Sequence, residues 1–565
     1  MTVDPDHDEL DATLRRAARR SLDGHRRSVG RDETERALQS TRAQLNGVRV
    51  PDHRRRRLIA LSAAAVALIV LVGALVVVSQ GRERPISDDP MPPTSDAPTT
   101  VETTTSTSIV SPPVPTPSVA FDVDGNPLAG FGSGDETDGE QTAFVDVLLD
   151  YLVNRSDVLG DSVAERESRL DEAGLRIHTT FDPEAQAAAE AAREMLPANS
   201  AGFDTAIVSL DTGSAAVRAL VGASGERTLG GDVNMAVAPR DTGSAARAFI
   251  ASAATDAGVL AEDVIDNTSP CAFPSDEPGV ADFVMSGGVS GGVESVRLTT
   301  ARSYPCGTER LTRVVGVESV VETMYQMTAS AYLDPTAVSR APLPNESGAS
   351  LSLSSHQLSA LDMASGMQTI ANEGVHHAPY FIEYIDDADG NRLYTHRPDD
   401  ERVLSTDTSL ETIDILKDVI VVGTGRRAAL DGGRPAIGVT GTEPDNANAW
   451  FVGATPQLTT AVWVGDPAAN TPMAAIPEFA DAGVNRVQGG DFPADIWKTF
   501  TDTALAGTSP TDWASPPEPT RPPARLVVPS VECRAGDATD ATPKPIEPQQ
   551  PVTSVDVDTT IVPCE

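Results

Sequence analysis

Apolar residues in TAFVDVLLDYLV recur three and four positions apart, which predicts a helix beginning near Thr142. LRIHTTF, from Leu175, alternates instead, and alternation predicts a strand. DPEAQAAAEAAREML opens with an aspartate and a proline ahead of an alanine-rich run, so a capped helix starts at Asp182. TAIVSL and AAVRALVG are two β-rich runs separated by Asp-Thr-Gly, the pattern of a hairpin. The hexapeptide DTGSAA of that hairpin, from Asp211, recurs from Asp241 in DTGSAARAF. There the residues from Ser244 onward are helix formers that end at a glycine. Ser214 therefore starts a return strand, whereas Ser244 stands at a helix start, where orphan amides favour negative charge.

One apolar run differs from all the others. LIALSAAAVALIVLVGALVVVS, from Leu58 to Ser79, carries no charge, and at about 1.5 Å per residue it reaches across a bilayer core of roughly 30 Å. It is too long for the apolar part of a signal peptide, so it reads as a retained anchor. Arg54 to Arg57 precede it, which places residues 1–57 in the cytoplasm and everything after Ser79 outside. Residues 80–141 are rich in Pro, Thr and Gly and bury too little apolar surface to fold, so they read as a disordered spacer. The stretch 510–565 is a Pro-rich tail of the same character. Between them lie a pedestal region, 142–200, and the main domain, 201–509.

Charge narrows the function. With 43 basic and 82 acidic residues among 565, the net charge is −39, which argues against nucleic-acid binding. Lysine occurs only at Lys417, Lys498 and Lys544. The four cysteines, Cys271, Cys306, Cys533 and Cys564, all fall on the outer side and lack metal-type spacing. Sequence proximity favours Cys271 with Cys306 and Cys533 with Cys564, with three pairings open. His356, His376 and His377 show no triad or metal spacing and read as structural or surface residues on loops or helix faces. Asp386-Asp387 and Asp399-Asp400 read as turn residues around a hairpin. No metal or cofactor site is expected.

From about Val145 to Ala506 the chain resembles the transpeptidase domain of class A penicillin-binding proteins. The resemblance rests on LRIHTTFDPEAQAAAEAA, VSLDTGSAAVRALVGA, NMAVAPRDTGSAARAF, LSLSSHQLSALDMASGMQTIANEGVHHAPYFIEYI, VVGTGRRAAL and AIGVTGTEPDNANAWFVGATPQLTTAVWVGD, in that order. It implies an α/β (α+β) fold of the penicillin-binding, β-lactamase-like kind, with a central antiparallel sheet, flanking helices and a helical subdomain. The glycosyltransferase domain usual in such proteins has no counterpart here, so glycan polymerisation is not expected.

The resemblance also locates three motifs. SxxK becomes Ser244-Ala245-Ala246-Arg247, which keeps the nucleophile and replaces the lysine. Lowering a lysine from ~10.4 to ~7.5 costs on the order of 4 kcal/mol, and an arginine near 13 would need roughly 8. Arg247 therefore cannot act as the base. SxN becomes Ser303-Tyr304-Pro305, with proline at the amide position. KTG becomes Val439-Thr440-Gly441, followed by Thr442, and the cation for a substrate carboxylate is gone. Backbone amides of Ser244 and Thr442 remain available as an oxyanion hole. The expectation is a pseudoenzyme of peptidoglycan biogenesis, membrane-anchored and extracytoplasmic, that binds stem peptide, a β-lactam weakly, or other cell-wall synthesis or division proteins. The alternative is a D,D-transpeptidase or carboxypeptidase acting through Ser244.

Overall fold

The computed structural model describes residues 116–131, 142–222, 234–273, 283–285, 288–333, 357–443 and 445–528. Strand β1 (Val119–Phe121) buries Ala120 and Phe121, and Asp122 closes the turn behind it by accepting from the amides of Asp124 and Asn126. Thr142 accepts from the Val145 amide and starts helix α1 (Ala143–Asp150), and Ser162 does the same through Glu165 for α2 (Val163–Glu172). Strand β2 (Arg176–Thr179) follows, and then α3 (Pro183–Arg193), capped by Asp182 with Pro183 in its first turn. The hairpin β3 (Asp204–Asp211) and β4 (Val217–Val221) leads to α4 (Arg247–Asp256).

Short strands β5 (Val264–Asp266), β6 (Cys271–Phe273), β7 (Phe283–Met285) and β8 (Val293–Ser295) form two small ladders, β5 with β8 and β6 with β7. They feed a helical layer of α5 (Val296–Ala301), α6 (Pro305–Val315), α7 (Val317–Thr328) and α8 (Ala360–Ala371). The hairpin β9 (Ile382–Asp386) and β10 (Arg392–Thr395) is followed by α9 (Thr406–Val421), then by β11 (Ile437–Thr442), β12 (Asn448–Ala454), β13 (Leu458–Gly465) and α10 (Phe492–Ala504).

The central sheet runs β11-β12-β13-β3-β4, antiparallel throughout. One face, with Trp450, Val452 and Val439, packs on the layer holding α4, α7 and α8. The other, with Phe451, Val462 and Ile207, packs on α3 and α10 through Trp497 and Phe500. A second sheet, β1-β2-β9-β10, draws two strands from 142–200 or before it and two from inside 201–509. Residue 200 is thus a boundary in sequence and not in structure.

Two stretches read as unfolded are ordered. Residues 116–131 join the second sheet through β1, because Ala120 and Phe121 pack against β2 and the buried Ser118 hydroxyl accepts from the Leu175 amide. Residues 510–528 also pack, because Trp513, Leu526, Val527 and Val528 are spaced between the prolines as apolar anchors. Trp513 donates its indole N–H to the Ala371 carbonyl at 2.7 Å, and the Leu526 amide donates to Val264 at 2.8 Å. Arg521 grips Asp263, whose side chain is 0% exposed and also accepts from the Ala524 amide. Arg521→Ala is expected to lower stability by about 2 kcal/mol in a denaturant titration, because a buried carboxylate loses its charged partner, and to make 510–528 sensitive to limited proteolysis.

The expected membrane anchor, 58–79, lies outside the described residues, as do Cys533, Cys564, His356 and Lys544. Among the described residues no helix is long and apolar enough to cross a membrane.

Candidate active site

The two DTGSAA copies adopt different structures because their surroundings differ. In the first, the Ser214 hydroxyl donates to Asp211 Oδ1 at 2.8 Å and closes the β3–β4 turn. In the second, Gly243 to Ala246 form a 3-10 turn that runs directly into α4. Gly243 has φ +53, and a Cβ built there would lie 2.7 Å from the Thr442 carbonyl carbon and 2.8 Å from the Glu443 nitrogen. Across the contact, a Cβ on Gly441 would meet the Thr242 oxygen at 2.6 Å. Two glycines thus let this turn lie backbone to backbone on the edge strand β11. Gly441→Ala is expected to cost about 2 kcal/mol through overpacking and to pull the turn off the strand, seen as faster hydrogen exchange at Thr442.

Ser244 is 6% exposed and bridges turn and strand. Its hydroxyl donates to the Thr440 carbonyl at 3.2 Å and accepts from the Thr442 amide at 3.3 Å. It makes no side-chain cap for its own helix. No lysine, histidine or carboxylate is hydrogen-bonded to it among the described residues.

Arg247, one turn further along, makes no hydrogen bond to Ser244. Its Nε donates to the Thr308 hydroxyl at 3.1 Å and its Nη1 to the Ser303 hydroxyl. The guanidinium is 3% exposed, and no carboxylate among the described residues pairs with it. Burial pushes it down to about 9, still well above neutral pH, so it remains a cation there. Ser303 sits at φ +60, a left-handed conformation at the end of α5, and this turns its hydroxyl toward Arg247. Pro305 occupies the first turn of α6, where a missing N–H costs nothing. Proline therefore begins a helix at this position and does not break one. Cys306, next to it, is bonded to Cys271, and the two pack with Phe273 and Met285 in a small core of their own.

Val439 is 2% exposed and continues the main apolar core with Trp450 and Val452. The position to which the resemblance assigns a cation is therefore dry. The Thr440 hydroxyl lies 2.7 Å from that of Thr424, which reaches toward the Ala301 carbonyl at 3.5 Å, two residues ahead of Ser303. Thr442 Oγ1 accepts from the Gly489 amide at 3.0 Å. Glu443 follows at the strand's end. Burial raises its carboxyl, and Asp241 and Asp445 raise it further, against two hydrogen bonds from Asn448.

The structure thus brings together Ser244, Arg247, Ser303, Thr440, Gly441 and Thr442. Sequence reading missed Thr308, Thr424 and Glu443. Thr308 was detectable as the residue one turn past a proline at a helix start. Thr424 and Glu443 carry no local signal. The two lysines among the described residues sit elsewhere: Lys417 pairs with Asp512 at 2.8 Å, and Lys498 with Asp431 at 2.6 Å. His376 is buried in a two-residue strand, its Nδ1 3.0 Å from the Thr369 hydroxyl, and is neither on a loop nor on a helix face. His377 lies 3.3 Å from Asp400. Among the described residues no group of three His, Cys, Asp or Glu is placed to hold a metal ion.

A serine on a turn pressed against the edge of a five-stranded antiparallel sheet, with a helical layer behind it, is the architecture of the penicillin-binding serine acyltransferases. Residues 206–475 match the penicillin binding protein transpeptidase domain family, and this part of the chain is such a domain, of the class A kind. Penicillin-binding protein 1A of Mycolicibacterium smegmatis is 30% identical over 417 residues, covering 69% of this chain and 48% of that protein. Penicillin-binding protein 1A of Mycobacterium tuberculosis is 28% identical over 384 residues, covering 62% of this chain and 42% of that protein. The chain therefore spans less than half the length of these two relatives. The PonA1 protein of M. tuberculosis, solved in complex with penicillin V, superposes with a TM-score of 0.56 at 25% identity, covering 68% of this chain and 98% of that one.

Proposed function

We propose that the protein serves peptidoglycan biogenesis as a transpeptidase homologue that binds without turning its ligand over. One observation carries the reading: among the described residues Ser244 is hydrogen-bonded only to backbone groups of β11, while Arg247 is held by Ser303 and Thr308. Among the described residues no base is hydrogen-bonded to the hydroxyl to take its proton. Loss of a positioned base costs about 10²–10⁴-fold in rate, and loss of the cation at Val439 removes the grip on a substrate carboxylate. Anchorage through 58–79, with the domain outside the membrane and reaching the wall or other envelope proteins, belongs to the same proposal.

An active D,D-transpeptidase is the second reading, favoured by the Thr442 amide, which reaches the Ser244 oxygen as an oxyanion donor would reach a substrate. D-Alanine release from a stem pentapeptide by the purified full chain separates them. The proposal expects no release beyond a Ser244→Ala control, and serine-dependent turnover would overturn it.

A further inference from the structure

We infer that a cleft at the end of the central sheet far from Ser244 binds an uncharged saccharide of one or two rings. The inference is independent of what Ser244 does. Strand register fixes the location. Thr442, bonded to Ser244, pairs with Ala449, whereas Ile437 at the other end of β11 pairs with Ala454, and the turn after Ala454 carries Pro456. The β3–β4 turn with Gly213 lies beside that turn, since Asp211 pairs with Leu458. The end of α8, Arg402 and residues 512–514 form the remaining walls. They leave a cleft of about 390 Å³, within the roughly 300–1,000 Å³ of small-molecule sites.

Its polar side chains are held at one end and uncommitted at the other. Asn372 donates through Nδ2 to the Val375 carbonyl at 3.0 Å, and its Oδ1 has no hydrogen-bond partner among the described residues. Arg402 gives Nη1 to the carbonyls of Glu373 at 3.0 Å and Leu404 at 3.3 Å and to the Thr406 hydroxyl at 3.2 Å, and its Nε and Nη2 donate to no group among the described residues. Asp512 accepts through Oδ1 from Lys417 and from the Trp513 amide, both at 2.8 Å, and its Oδ2 has no hydrogen-bond partner among the described residues. Trp513, tied by its indole N–H to Ala371, supplies an apolar wall. Side chains already fixed in this way lose little freedom on meeting a ligand.

This mixture selects the class of guest. The cleft holds one guanidinium, Arg402, and two carboxylates, Glu373 and Asp512, and Lys417 neutralises Asp512. The charges therefore cancel, and neither an anion nor a cation is drawn in. Free acceptors sit beside free donors, and a hydroxyl is both at once. A sugar presents several hydroxyls to such groups, where their hydrogen bonds are charge-assisted, and its C–H face suits an indole. A hydrocarbon of the same size would leave the polar groups unpaired. Amino-sugar glycans and glucans share this chemistry.

The test is titration of the full chain with N,N′-diacetylchitobiose and with maltose, with acetate and ethylamine as charged controls, read by tryptophan emission and by saturation-transfer NMR. Emission is informative because Trp450, Trp463 and Trp497 are buried in the core and Trp513 lines the cleft. At least one disaccharide is expected to bind saturably and at least about tenfold more tightly than either control. Arg402→Met and Glu373→Gln are each expected to weaken that binding about tenfold. Preference for diacetylchitobiose supports the inference with an amino-sugar glycan as the source, and preference for maltose supports it with a glucan. Absence of saturable binding of both disaccharides to the unmodified chain would overturn it without any variant. Acetate or ethylamine binding as tightly as the saccharide would overturn it too, as would unchanged binding by both variants when folded.

Discussion

Exchanging Arg247 for lysine is expected to raise the rate of acylation by a β-lactam at least about 100-fold, the low end of what a positioned base contributes. The reason is the site and not lysine alone. The burial that takes the Arg247 guanidinium down to about 9 acts on any cation at that position, with no carboxylate to oppose it. An ammonium starts near 10.4, well below a guanidinium, so the same burial brings it close to neutral pH. Lysine at 247, the first residue of α4, stands one turn past Ser244, within reach of its hydroxyl once Ser303 and Thr308 no longer hold the side chain. Acylation rates of the two proteins, measured with one fluorescent penicillin, check this. A folded Arg247→Lys protein with no gain would show that the base is not what the site lacks. Peptide turnover should recover less than acylation, because Val439 still leaves the strand without a cation.

Replacing Cys271 and Cys306 together by alanine is expected to cost about 3–4 kcal/mol, the chain-entropy value for a bridge whose cysteines are 35 residues apart. The loss should be local. The bridge ties β6 to the head of α6, and its core of Phe273 and Met285 contains little else. Arg313, stacked 4.3 Å over Phe273, loses its platform in the same event. Hydrogen exchange is expected to speed up across residues 264–315 and to leave the central sheet unchanged. Because α6 also carries Thr308, the Arg247 hydrogen bond should weaken. Uniform protection across the small ladders and α6 in the double variant would show that the bridge adds nothing to this edge of the cleft.

Much of the domain was legible in the sequence, for reasons visible residue by residue. The caps at Asp182 and Thr142, the Asp-Thr-Gly hairpin and the alternating strands are local signals, and local signals set these elements. The different fates of the two DTGSAA copies were also legible, since one is followed by β-rich residues and the other by helix formers. The packing of 116–131 and 510–528 was not, because proline-rich composition outweighed a few well-spaced apolar residues. Ala120, Phe121, Trp513 and Leu526 find their partners far away in sequence, where a pattern search does not reach. At the site, the identities of Ser244, Arg247 and Val439 could be read in advance, but the direction of Arg247 could not. That direction depends on Ser303 adopting a left-handed conformation and on Thr308 arriving from another helix. That Pro305 begins α6 was not legible either, because the start of that helix carries no side-chain cap.

The most direct measurement is covalent labelling of the natural protein with a fluorescent penicillin, read by intact mass beside a Ser244→Ala control. The account predicts no serine-dependent adduct after hours from protein shown to be folded. An adduct forming within minutes and absent from Ser244→Ala would contradict it, since Ser244 would then be an activated nucleophile despite its backbone-only hydrogen bonds.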